Sequence, residues 1–357
     1  LVPTRELCDQ IDREIIRLST GRKVNVCLLK KSLIKSASNY MSSTITDGSE
    51  KLDYFSKYDV LLTTPMKLLS YLTSNGAGAS DVSIDLSKVE MIVLDEVDKL
   101  FEHDSRPSNN SNSEEETKEG EGESASAFPS SFLSQVDMIL AACPSTGREG
   151  KPVVKGLFSA TITPFVQELA SGFLHDHVSV NVGVLNSGAA TIEQSLVFAG
   201  NEQGKLFAVR QLVTQGKLKP PVLLFVQSID RAKQLYEELI YDSINVDVIH
   251  SDRTQAQREA SIAKFRGGSS WVLICTDLLA RGIDFKHVNM VINYDLPTTP
   301  VSYIHRIGRT GRAGRLGEAV TFFTENDIAH LRSIANVMKL SGCDVPDWML
   351  NIKQVML

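Results

Sequence analysis

The chain has few residues that crosslink it and none that anchor it in a membrane. Its five cysteines (Cys8, Cys27, Cys143, Cys275 and Cys343) lie far apart, with no CxxC pair. That usage fits a reducing compartment and offers neither a disulfide framework nor a zinc site. No apolar run approaches bilayer-spanning length and no signal peptide is visible, so membrane association is not expected. Positive charge is also in deficit: 37 Lys and Arg face 43 Asp and Glu, a formal net charge of -6. The distribution matters more than the sum. Between Ser113 and Ser126, glutamates 114, 115, 116, 119, 121 and 123 face the single Lys118, a local balance of -5. Without that segment the balance is -1, so the remainder is near neutral and free to carry basic patches.

What is present is ordinarily globular: 42% of residues are hydrophobic and 22% charged. A length of 357 residues suffices for two domains, each with its own core. The chain opens on Leu1 rather than Met, and it reads as a piece of a longer protein, cut inside a domain.

Short β-branched runs alternate with amphipathic segments. Strands are expected over 24–29, 60–63, 91–94, 156–159 and 178–182, with helices over 5–18, 65–72 and 164–173. A second series follows: strands over 222–226, 246–249, 272–275, 288–294 and 319–323. Its helices cover 230–241, 255–265, a segment from Thr299, and 326–340. Such alternation gives parallel sheets covered by helices, an α/β architecture whose ligands sit beyond the carboxyl ends of strands. The expected division is a first domain over 1–185, a connector over 186–201, a second domain over 202–340 and a tail over 341–357. From about 103 to 150 the first domain is interrupted by a Ser-, Asn-, Glu- and Gly-rich stretch. It holds too few apolar residues to offset its ordering entropy; disorder is expected, with a basic protein as a possible partner.

The most informative stretch is His305-Arg306-Ile307-Gly308-Arg309-Thr310-Gly311-Arg312-Ala313-Gly314-Arg315. If one helix runs from Thr299-Pro300 through it, His305, Arg309 and Arg312 share a face at i, i+4 and i+7. Guanidinium forks of permanent charge suit a polyphosphate, whereas a solvated basic helix or a nuclear-localisation patch is the plainer alternative. Met91-Ile92-Val93-Leu94 ends in Asp95-Glu96-Val97-Asp98. A nucleotide hydrolase puts its carboxylates at such a strand end: Asp95 to hold Mg²⁺ through water and Glu96 to orient the attacking water. An ordinary strand-to-loop turn would look the same. Ser159 and Thr161 can link those acids to the rest of a site, or cap the helix opening at Thr163-Pro164, which without context is the simpler reading. After the strand ending at Cys275, Thr276 and the backbone through Gly282 can cradle phosphates, and Asp284 can accept a ribose hydroxyl. Thr4-Arg5 and Thr64-Pro65-Met66-Lys67 open helices, whose free amides and positive dipole ends suit a nucleic-acid backbone.

In order and spacing these elements resemble the DEAD-box RNA helicases of helicase superfamily two, over nearly the whole chain. Residues 3–10 resemble motif Ia, 64–67 motif Ib, 95–98 motif II, 159–161 motif III and 223–228 motif IV. His250-Ser251-Asp252 with Gln255 and Arg258 resembles the following QxxR element, 276–284 motif V and 305–312 motif VI. The resemblance implies two RecA-like parallel-sheet domains in tandem, the first incomplete at its amino end, closed together by ATP and RNA. Arg309 and Arg312 would be arginine fingers on the γ-phosphate, His305 would relay closure to motif III, and Asp284 would meet the ATP ribose. Thr4, Arg5, Thr64, Lys67, Thr276 and Arg258 would meet RNA, mostly at its backbone, so base-specific recognition is not expected. Residues 197–205, 271–284 and 341–346 resemble the nucleolar helicases of small-subunit ribosome assembly. That implies an ATP- and Mg²⁺-dependent, monomeric enzyme of the nucleolus acting on pre-rRNA.

Departures from the family pattern set the competing expectations. This chain contains no GxGKT phosphate loop, so alone it should bind and hydrolyse ATP poorly. Val97 stands where the family has alanine, Met66-Lys67 where it has glycine-arginine, and no double glycine occurs near 36–49. A catalytically deficient RNA-binding protein on the same fold is the alternative, and a DNA helicase the third reading. Asp95, Glu96, Arg309 and Arg312 together speak against a catalytic relic.

Overall fold

In a computed structural model of the chain, the described residues are 1–30, 33, 55, 57–72, 84–100, 132–147, 150–277, 285 and 287–352. They divide into two compact units, Leu1–His177 and Val178–Leu357.

The first unit contains α1 (Arg5–Leu18), β1 (Val26–Leu28), β2 (Val60–Leu62), α2 (Pro65–Leu72), β3 (Met91–Leu94), α3 (Val97–Leu100), α4 (Phe132–Ala142), β4 (Val154–Leu157) and α5 (Pro164–Phe173). β1 pairs parallel with β2 and β3 parallel with β4. The first two residues stitch these pairs together. The Leu1 amino group donates to Val93 O at 2.6 Å, Asp95 N donates to Leu1 O at 3.0 Å, and Val2 N donates to Thr63 O at 3.2 Å. One apolar cluster gathers Cys27, Leu68, Leu69 and Ile139; another gathers Ile92, Leu94, Val136, Val166 and Leu169.

The second unit runs β5 (Ile192–Gly200), α6 (Glu202–Thr214), β6 (Val222–Val226), α7 (Ile229–Tyr241), β7 (Val246–Ile249), α8 (Gln255–Arg266), β8 (Val272–Thr276), β9 (Met290–Asn293), α9 (Pro300–Ile307), β10 (Gly317–Thr324), α10 (Ile328–Leu340) and α11 (Asp347–Leu350). Its six strands are all parallel, in the order β5-β10-β9-β6-β8-β7. β6 shows why the runs read as continuous apolar segments rather than alternations. Leu223 and Phe225 enter one core, Val222, Leu224 and Val226 the other, and all five are buried.

Five sequence expectations are corrected. The unit boundary falls at His177/Val178 rather than 185, and residues 178–182 form no strand: Val178, Val180 and Val182 are exposed and lack a partner strand among the described residues. The expected connector over 186–201 ends earlier, because Ile192–Gly200 pairs along β10 as an edge strand. Polar Glu193 and Ser195 alternate with buried Ile192 and Gln194 there, the pattern of a strand with one face in water. The expected disordered stretch ends before 132, since Phe132, Val136 and Ile139 bury one face of α4; residues 103–131 lie outside the described residues. The expected tail instead packs on the second core through Val345 and Met349.

Candidate functional site

The acids of the first unit stand at the carboxyl end of β3, held in register with the strand beside it. Phe158 N donates to Leu94 O at 2.8 Å and Val97 N to Phe158 O at 3.1 Å. Leu94 and Val97 are both fully buried, which fixes the turn between them and lets valine occupy the slot where the family has alanine. Glu96 sits in that turn at φ 51°, a left-handed conformation that a β-carbon disfavours. Asp95 Oδ1 accepts the Glu96 N–H at 2.9 Å. Burial pushes the Asp95 carboxyl above its ordinary range; the Glu96 amide opposes this and the Glu96 charge adds to it. Lys99, its side chain 1% exposed, brings Nζ to 2.6 Å from Glu96 Oε2.

Asp98 faces the other strand. Its Oδ2 accepts both the backbone N–H of Thr161 at 2.9 Å and its hydroxyl at 2.6 Å. Ser159 Oγ donates to Thr161 O at 2.7 Å. Thr161 therefore links the acidic turn to the 159–161 loop, and the helix-capping alternative is corrected: α5 is capped by Thr163, which accepts from Val166 N at 3.2 Å. Thr161 is buried and bonded to Asp98, so its side chain is committed to the acidic turn.

Among the described residues no cluster of three or more His, Cys, Asp or Glu is arranged to hold a metal ion. A carboxylate at a strand end suits Mg²⁺, which is commonly held by one or two carboxylates together with substrate phosphates and water. Asp95 is the carboxylate in place for it.

The two expected backbone-binding helix starts of the first unit lie close together, because Val2 N bonds Thr63 O. Thr4 caps α1 by accepting from Leu7 N at 3.3 Å, and Arg5 is exposed on its first turn. Thr64 is half-buried ahead of Pro65, while Lys67 Nζ donates to Tyr71 Oη at 3.0 Å. The 36–49 stretch lies outside the described residues.

In the second unit Thr276 ends β8 and is buried; Gly282 and Asp284 lie outside the described residues. Arg258 is half-buried on α8, its Nη1 donating to Arg253 O at 3.0 Å. The single helix imagined through the basic run is corrected. α9 starts as expected, with Thr299 accepting from Ser302 N at 3.1 Å and Pro300 on its first turn, but it stops at Ile307. Gly308 caps it, and Gly311 at φ 67° and Gly314 at φ 74° turn the chain away. His305 lies half-buried in the last turn, Arg309 is buried and Arg312 exposed beyond it, with Arg312 Nε donating to Gly308 O at 2.7 Å.

Sequence reasoning passed over Arg306. Its Nε and Nη2 donate to the two oxygens of Asp277 at 2.6 and 2.7 Å, and its Nη1 donates to Asp295 O at 2.8 Å. The residue after Thr276 is thus bolted to the helix carrying His305. A signal existed: Arg306 falls between Tyr303 and Ile307 on the apolar face of α9, a position that calls for a buried anionic partner. Lys99 was missed for want of any such context.

Acids at a strand end tied to a hydroxyl loop, and a parallel-sheet unit with an arginine turn beyond α9, define a helicase core built from two RecA-like domains. The comparisons carry this to the family. The DEAD/DEAH box helicase profile matches residues 1–169 and the helicase conserved C-terminal domain profile residues 204–314. The chain belongs to the DEAD-box helicases. It is 44% identical over 99% of its length to "ATP-dependent RNA helicase ROK1" of Yarrowia lipolytica, covering 56% of that protein. It is 46% identical, again over 99%, to "Probable ATP-dependent RNA helicase DDX52" of Mus musculus, covering 52%. The chain thus spans about half the length of the curated relatives it matches. Among solved structures, Saccharomyces cerevisiae Dbp5 bound to RNA and ADP BeF3 superposes with a TM-score of 0.68 at 26% identity, over 96% of this chain and 74% of that one.

Proposed function

We propose that this chain is the motif-bearing part of an ATP-dependent RNA helicase of the ROK1/DDX52 branch, unwinding short RNA duplexes by ATP-driven domain closure. One observation carries the reading: at the end of β3, Asp95 and Glu96 stand in a turn locked to the 159–161 loop through Asp98 and Thr161. The names of the relatives and the RNA and ADP BeF3 held by the Dbp5 neighbour support it.

In this reading Asp95 would hold Mg²⁺ through water, and the ion would supply positive charge to offset that of the ATP phosphates. Glu96, fixed by its turn and by Lys99, orients the attacking water and takes its proton. Arg309 and Arg312 offer guanidinium groups to the charge that develops on the transferred phosphoryl group, which makes turnover depend on closure. Thr4, Arg5, Thr64, Lys67, Thr276 and Arg258 bind one RNA strand by its backbone; closure bends that strand and its complement falls away, and product release reopens the core. The substrate we assign is pre-rRNA and the place the nucleolus, because residues 197–205, 271–284 and 341–346 resemble the nucleolar helicases of small-subunit ribosome assembly.

The complete protein tests this. RNA-stimulated ATP hydrolysis is expected, falling about 10³-fold or more in Arg309→Gln and comparably in Glu96→Gln. Turnover untouched by either change overturns the reading. Crosslinking of the endogenous protein to pre-rRNA checks the substrate, and recovery of only other RNA classes overturns that part.

A further inference from the structure

The turn that carries Arg309 and Arg312 closes at the amino ends of strands, away from the edge where Thr276 ends β8. Thr310 Oγ1 donates to Val288 O at 2.7 Å and lies 3.1 Å from Asn289 O, just ahead of β9. Gly317 opens β10 on the far side of the turn, level with Ile192 at the start of β5. The loops that open α/β sheets shape around ligands lie at the other edge, so this turn has to be held by other means.

Thr191, the half-buried residue before β5, belongs to none of the family motifs and supplies the hold. Its hydroxyl donates to Gly311 O at 2.7 Å, and its carbonyl accepts from Gly317 N at 2.9 Å. One residue thus grips both limbs of the turn, on either side of Arg312. The fit is close: a β-carbon on Gly311 would lie 3.0 Å from Thr191 Oγ1. Three residues earlier, a β-carbon on Gly188 would lie 2.7 Å from Ile307 Cδ1 at the end of α9. Gly188 N donates to Ser341 Oγ at 2.8 Å, which fixes that approach. The stretch 188–192 is therefore laid along the end of α9 and the turn beyond it.

We propose that Thr191 is a positioning residue for the arginine turn: its hydroxyl fixes the Gly311 carbonyl and, through it, the placing of Arg309 and Arg312. This rests on the helicase reading above, in which those arginines meet the charge that develops on the transferred phosphoryl group. Gly311 at φ 67° has no side chain to resist rotation. The peptide that joins it to Arg312 is oriented by what its carbonyl bonds, and that partner is Thr191. A catalytic group displaced by about 1 Å can cost about 10²-fold in rate. Because the arginines act on charge that develops in the transition state, their displacement lowers kcat and leaves KM in place. A threonine that merely stabilised the start of β5 would lower the melting temperature and leave both constants alone.

The experiment measures ATP hydrolysis by the complete protein, with kcat and the KM for ATP taken at saturating single-stranded RNA. Thr191→Val keeps the shape and removes the hydroxyl; kcat is expected to fall about tenfold or more while KM stays within about twofold. Thr191→Ser keeps the hydroxyl and should hold kcat within about twofold of the unaltered protein. Ser341→Ala, which removes the bond to Gly188 and leaves those of the turn, should keep kcat. Should Thr191→Val fail to fold, Thr191→Ala carries the test. A folded variant without the hydroxyl but with unchanged kcat overturns this proposal alone. So does an equal fall in Thr191→Ser or Ser341→Ala, or a change confined to KM. Absence of RNA-stimulated hydrolysis in the unaltered protein overturns the helicase reading and this proposal with it.

Discussion

Asp98 and Thr161, 63 residues apart in sequence, are joined by two hydrogen bonds on one carboxylate oxygen: from the threonine amide at 2.9 Å and from its hydroxyl at 2.6 Å. Both residues are buried. Thr161→Val removes only the hydroxyl arm. Its expected cost is about 1.5–3 kcal/mol, the range for a hydrogen bond to a charged group. A double-mutant cycle with Asp98→Asn, read from urea unfolding, should return a coupling energy of that order. Additive changes would show that the pair is not coupled.

Arg306 is expected to matter for stability more than its exposed neighbour Arg312. Arg306→Ala leaves Asp277 without its fork and should destabilise the second unit by about 3–5 kcal/mol. Arg306→Lys should cost less, because it keeps the charge and loses the two-pronged geometry. Trp271 and Trp348, the two tryptophans of this chain, both belong to the second unit, so their fluorescence follows that transition in urea. Arg312→Ala should leave the midpoint nearly unchanged.

His250 predicts acid sensitivity. Burial first, then the nearby charges of Lys233 and Arg253, lower its pKa below the ordinary 6.5, while Asp252 opposes them. A lowered value means the folded state favours neutral imidazole and the unfolded state takes the proton at higher pH. The stability is therefore present in full above pH 6.5 and is lost as pH falls towards the folded pKa. The slope should not exceed about 1.4 kcal/mol per pH unit. Melting curves between neutral pH and pH 5 should show a steeper fall for the unaltered protein than for His250→Gln; parallel curves would refute the prediction.

The arginine turn depends on one glycine more than on its neighbour. Gly311 lies at φ 67°, and a β-carbon there would sit 2.5 Å from Ile192 Cγ1. Gly314 has φ 74° but nothing within 4 Å of that position. Gly311→Ala should therefore combine left-handed strain with overpacking, about 2–5 kcal/mol, and depress ATP turnover by moving Arg309 and Arg312. Gly314→Ala should carry the strain alone, about 1–2 kcal/mol. Equal effects would rule out the contact with β5 as the cause.

Much of the architecture was legible in the chain. The helices over 5–18, 65–72 and 164–173 match the structure residue for residue, and the strands over 222–226 and 246–249 do too. These segments carry local signals: Pro65 and Pro164 on first turns, Thr4 and Thr163 as caps, unbroken β-branched runs for buried strands. β5 was read as a connector because half of its side chains face water and its partner β10 lies far along the chain. The continuous basic helix failed for a local reason, since glycines at 308, 311 and 314 mark a stop as readily as a close approach.

Residue types and their order were enough to establish the family, the placement of carboxylates at a strand end, and the spacing of the arginines. Tertiary structure alone decided the division of labour: Arg306 fastened to Asp277, Arg309 beyond the helix end, Thr161 against Asp98 rather than at a cap, Thr191 against the arginine turn. The reason is physical. Periodicity and capping are written in neighbouring residues, whereas the partner of a buried charge is set by which distant strand ends the sheet brings together, and no local spacing records that choice.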